Sequence, residues 1–126
     1  MREIIVFSKM LKQKSLDELV ELALDYGFEG YDLCVRPEYP VNPDNVGETL
    51  VRAVRQMERA GLSIPMITGD LDLVTPAHPT AEPILRAMDR ANVRLLKLGY
   101  FRFDPLTQDY WEEVSRIRAA FAGWEQ

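Results

Sequence analysis

Asp32, Cys34 and Arg36 stand at alternate positions in the stretch Gly30-Tyr31-Asp32-Leu33-Cys34-Val35-Arg36-Pro37. Successive side chains of a strand point to opposite sides, so an acid, a thiol and a base would share one face while Tyr31, Leu33 and Val35 share the other. Two later stretches repeat this pattern. Thr68 and Asp70 fall on one face near the carboxyl end of Ile64-Pro65-Met66-Ile67-Thr68-Gly69-Asp70, and Lys97 alternates with Leu96 and Leu98. Carboxylates, a guanidinium, an ammonium and a hydroxyl on one wall can orient a polar ligand. They can equally neutralise one another, since buried charges persist only when paired. For Asp32 and Lys97 both readings stand, with Arg36 or Lys97 as the partner of Asp32. Arg36 and Asp70, nearer the strand ends, point toward ligand contact.

Other candidates carry weaker chemistry. Cys34 is the single cysteine, forms no internal disulfide and reads as a small hydrophobe in a strand. His78 is the single histidine and lacks the partners of an HExxH helix or a clustered Cys/His pattern, so it reads as loop packing. The run Tyr100-Phe101-Arg102-Phe103 could stack on a sugar-like ligand or pack as a lid. Neither paired carboxylates with a base nor a Ser/His/Asp set can be assembled.

The elements that must hold these residues follow from hydrophobic periodicity. Residues 3 to 8 form an apolar run too short for a helix, the mark of a strand covered on both faces. Ser15 opens a helix with Glu18 as its capping-box partner, Leu16, Leu19, Val20, Ala23 and Leu24 as its apolar stripe, and Gly27 as its stop. After the Gly30–Pro37 strand, Pro37, Pro40 and Pro43 stiffen a loop. Asp44 or Asn45 caps a second helix, striped by Val46, Leu50, Ala53, Val54 and Met57 and ended by Gly61. Pro65 is expected at the first residues of the third strand, because it cannot donate to a ladder. A third helix starts near Thr80, buries Ile84, Leu85, Met88 and Ala91, and ends at Asn92. Leu95 to Phe101 makes the fourth strand. A last helix begins at Asp104-Pro105 or Thr107, with Trp111, Val114, Ile117, Arg118 and Phe121 at helical steps.

Four strand-helix units, starting near residues 3, 30, 64 and 95, imply an α/β fold with a parallel sheet and right-handed crossovers. The 126 residues form a single domain, 1-126, and four units are half of an eight-unit (β/α)8 TIM barrel of ~250 residues. A doubly wound domain is the lesser alternative, since the first strand lacks a glycine-rich phosphate turn. The net charge of -5 argues against nucleic acid or anionic lipid as partner. No apolar run approaches the ~20 residues that span a bilayer, so the expectation is a soluble cytoplasmic protein without membrane association.

Residues 15 to 37, Ala60-Gly61-Leu62-Ser63-Ile64-Pro65-Met66-Ile67-Thr68 and Leu98-Gly99-Tyr100-Phe101-Arg102 resemble the amino-terminal half of sugar phosphate isomerases/epimerases of the xylose isomerase-like TIM barrel superfamily. The resemblance covers nearly the whole chain. It implies metal-dependent isomerisation or epimerisation of a sugar or polyol, by proton transfer next to a carbonyl. It further implies a divalent metal (Mn, Mg, Zn or Co) in the complete barrel, with its Glu, Asp, His and Glu ligands on later strands and none in this half. Where members often carry a histidine after the Arg-Pro, this sequence reads Glu38-Tyr39-Pro40-Val41. The expected substrate side comprises Arg36, Asp70, Lys97, Thr68 and Asp32. The half alone is expected to be inactive, and to pair as a homodimer or with a carboxyl-terminal half-barrel. The alternative is a non-catalytic half-barrel binding or assembly module.

Overall fold

Three of the four amphipathic stretches become helices laid on one side of a four-stranded sheet. The computed structural model describes residues 2–126. In chain order the elements are β1 (Ile5–Phe7), α1 (Leu16–Tyr26), β2 (Gly30–Cys34), α2 (Val46–Arg59), β3 (Ser63–Thr68), α3 (Ala81–Ala91), β4 (Leu95–Lys97) and α4 (Tyr110–Trp124), with a short 3-10 turn at Ser8–Leu11. The strands lie side by side in the order 1-2-3-4 and all pairs are parallel. The chain thus winds in one direction, as in half of a βα barrel, and not outward both ways from a central strand. Among the described residues no helix is long and apolar enough to cross a membrane.

Local chemistry accounts for most helix ends. Ser15 accepts from the Glu18 N–H at 3.2 Å and Glu18 accepts from the Ser15 N–H at 2.8 Å, which completes the capping box of α1. Gly27 closes that helix at φ 72°, and Asn92 closes α3 at φ 56°. Asn45 precedes α2, yet its carboxamide is spent on the preceding loop, accepting from the Asn42 N–H and donating to the Pro40 carbonyl.

The core lies between the sheet and α1, α2 and α3. Tyr31, Leu33 and Val35 from β2 and its end pack with Ile67, Leu19, Ala23, Val46, Leu50, Ala53, Met57, Ile84 and Met88. Burial of each large apolar side chain contributes roughly 1.5–3 kcal/mol. The Tyr31 hydroxyl keeps a hydrogen bond, donating to the Leu19 carbonyl at 2.7 Å, and burial raises its pKa to about 12. All five residues of β2 are buried. Gly30 is required there, because a Cβ would collide with the Ser63 backbone carbonyl of β3.

Several sequence expectations are corrected. β1 is only half-buried, since it is an edge strand with one neighbour. Pro65 sits at the third position of β3, inside a bulge: Gly30 pairs with Ser63, but Asp32 already pairs with Met66. The bulge leaves a residue out of the ladder and so accommodates a residue without an N–H. β4 stops at Lys97, because beyond it Gly99 and Tyr100 donate to the Leu73 and Leu71 carbonyls. Leu24 and Leu85 are exposed, on the outer flanks of their helices.

The largest departure is α4. It starts at Tyr110, capped by Asp109, because Asp104 is consumed by a turn in which it accepts from Leu106 and Thr107. Its carboxyl-terminal half rests on the loop after β3: Trp124 Nε1 donates to the Val74 carbonyl at 3.1 Å and Gly123 abuts Pro76. In a barrel unit that end of the helix would lie at the opposite end of the strands. Only Ala120 is buried, while Trp111 and Phe121, expected on the packing face, are exposed.

Candidate functional site

Parallel pairing aligns side chains across strands, so the register identifies the face turned away from the helices. Phe7, Asp32, Met66 and Leu95 form one row across the sheet, and Cys34, Thr68 and Lys97 form the next row toward the carboxyl ends. The bulge in β3 is what brings Met66 and Thr68, and not Pro65 and Ile67, into line with Asp32 and Cys34.

Asp32, Thr68 and Lys97 meet directly. Thr68 Oγ1 donates to Asp32 Oδ1 at 2.6 Å, and Lys97 Nζ donates to Asp32 Oδ2 at 2.7 Å. The Asp32 side chain is 8% exposed and that of Lys97 45%, so the carboxylate is buried under an ammonium that still reaches solvent. Lys97 Nζ also lies 3.9 Å from the centroid of the Phe7 ring, a cation–π contact. Of the two candidate partners for Asp32, the structure selects Lys97. Both carboxylate oxygens are occupied, so this trio is neutral and mutually satisfied.

Arg36 belongs to a second group at the ends of β2 and β3. Its Nε donates to the Gly69 carbonyl at 2.7 Å, and among the described residues its terminal nitrogens have no hydrogen-bond acceptor. The Val35 N–H donates to the Thr68 carbonyl at 2.8 Å, which prolongs the β2–β3 ladder to the base of this group. Asp70 is half-buried nearby, and its carboxyl is pushed above the usual range, first by burial and then by the Asp72 charge, against the pull of His78 and Arg36. His78 Nε2 stands 3.4 Å from Asp72 Oδ1, while its Nδ1 lies 2.9 Å from Thr80 Oγ1 and accepts from the Thr80 N–H at 3.2 Å. That acceptance places the neutral ring's proton on Nε2. His78 therefore works chiefly as a local cap before α3, the loop-packing role expected of it.

Cys34 is buried, its N–H donates to Ser8 Oγ at 2.8 Å, and burial pushes its thiol up despite Arg36 and the Tyr39 phenol beside it. The low thiolate character suits filler, not a nucleophile. Of the aromatic run, Tyr100, Phe101 and Arg102 line a cleft of about 660 Å3 between the 71–75 loop and α4. Phe103 instead packs edge-on against Tyr110. Sequence reasoning missed Asp72, Ser8, Tyr39 and Phe7. The continuous apolar run of the first strand gave no sign of which face Phe7 would take.

A group of three or more His, Cys, Asp or Glu side chains that could hold a metal ion is not formed among the described residues. Comparison with protein-family models, with curated proteins and with solved structures gave no match.

Proposed function

We propose that this chain supplies the substrate-holding half of a sugar phosphate isomerase/epimerase-like barrel, acting on a sugar or polyol once an opposing half is in place. The observation that carries the reading is Arg36. Its guanidinium is anchored through one nitrogen to Gly69, with the terminal nitrogens free beside Asp70, at the carboxyl ends of parallel strands. Parallel βα folds bind ligands at that end, and a fixed guanidinium suits an anionic or hydroxyl-bearing ligand. Asp70, whose carboxyl burial pushes above the usual range, can accept from a ligand hydroxyl. This half by itself orients the ligand without turning it over.

The test is a backbone-amide NMR titration of the 126-residue chain with a ketose phosphate. Shifts concentrated at residues 34–39 and 68–72, and abolished by Arg36→Met, support the reading. An unchanged spectrum at millimolar ligand refutes it. The second reading, a non-catalytic binding or assembly module, is favoured by the Asp32–Thr68–Lys97 trio, whose groups satisfy each other and leave none free for chemistry.

A further inference from the structure

The face of the sheet opposite the helices is lined at its lower rows by Ile5, Phe7 and Met66, all half-buried, and by Leu95, 58% exposed. In a closed barrel such positions are interior and packed. The sheet also ends on two open edges, β1 and β4, each with one neighbour. Unpaired edge strands are a liability that proteins cover. We propose that a second copy of this chain covers both features, closing an eight-stranded parallel barrel around a two-fold axis.

Three observations favour a copy of the same chain. Because the order is 1-2-3-4 and every pair is parallel, rotating one copy by half a turn about an axis along the strands sets its β1 beside the partner's β4. The reverse contact forms at the same time, so both edges close at once, as an isologous interface requires. Eight strands is also the number at which a barrel interior is just wide enough to be filled by side chains, and two sets of Ile5, Phe7, Met66 and Leu95 would fill it. Lastly, Lys97 and Asp32 on this face are already paired within each chain, so these two charges meet the facing copy neutralised. α4 carries further exposed apolar surface at Tyr110 and Trp111. This inference rests on the half-barrel reading but not on the identity of the ligand, and it makes the Arg36–Asp70 group occur twice around one mouth.

The test is sedentation equilibrium of the ligand-free chain up to about 100 μM, a range that populates a standard-sized interface of micromolar affinity. The expected species has twice the 14.5 kDa chain mass. Leu95→Glu should weaken the dimer at least about tenfold, whereas Leu24→Glu, at an equally exposed position on α1, should leave it unchanged. Independently of any variant, amide exchange in Ile5–Phe7 and Leu95–Lys97 should slow as concentration rises. A monomer at every concentration, an open-ended series of larger oligomers, or a dimer disrupted by Leu24→Glu and not by Leu95→Glu would each overturn the proposal. A failed ketose phosphate titration with an intact dimer overturns only the ligand reading.

Discussion

Replacing Lys97 by Met tests whether the inner face is held by its ion pair or kept free for a ligand. The substitution keeps the methylene stem against Phe7 and removes the ammonium that donates to Asp32 Oδ2 at 2.7 Å. What remains is a carboxylate that is 8% exposed, with the Thr68 hydroxyl as its remaining hydrogen-bond donor. Breaking a fully buried pair costs about 3–5 kcal/mol, and an exposed pair is worth about 0–1 kcal/mol. With Lys97 45% exposed, solvent screens the pair and can partly rehydrate Asp32, so the cost falls between these limits, at about 2 kcal/mol. Loss of the cation–π contact adds about 0.5 kcal/mol. Urea denaturation followed by circular dichroism should therefore show a loss of about 2–3 kcal/mol with an unchanged slope. The double variant Asp32→Leu/Lys97→Met removes both charges and should recover at least half of that loss. A loss below about 0.5 kcal/mol, within the range of an ordinary surface change, would refute the structural pairing and return Lys97 to the ligand side.

Asp70→Asn should stabilise the chain at pH 7 and have no effect near pH 3. The folded carboxyl is raised above its unfolded value, so its contribution is fully present below that value and is lost as pH rises through the folded one; equal melting curves at pH 7 would contradict the burial argument. Gly30→Ala should cost about 3 kcal/mol or more, or prevent folding, because its Cβ meets the Ser63 carbonyl in the centre of the sheet, and soluble yield with melting temperature reads this directly. Cys34 should react with iodoacetamide at pH 8 on the order of a hundredfold more slowly in the native chain than in urea, since exposure requires opening of β2. Rapid native labelling would show that the thiol is accessible.

Local signals were legible because their range is a helical turn. Ser15 and Glu18, Gly27, Asn92 and the five-residue stripe of α2 each act within about four positions of themselves, and all appear where the residue types demand. The two faces of β2 follow from alternation alone, and so does the placement of Asp32 and Cys34 away from the core. α4 shows the limit of periodicity, since Trp111 and Phe121 recur at helical steps yet stay exposed. A stripe specifies that a helix has an apolar side; it does not specify which surface will receive it.

What the sequence determined by itself was the succession of strands and helices and the set of polar residues on the strand faces. What only the tertiary structure decided was who meets whom. Asp32 takes Lys97, 65 positions away, and Thr68, 36 positions away, while the nearby Arg36 turns to Gly69. That choice depends on register across three strands, and the register depends on a bulge at Pro65 that no periodicity announces. The physical reason is range: capping and alternation are enforced by bonds within one segment, whereas a cross-strand contact exists only after several segments have packed and aligned.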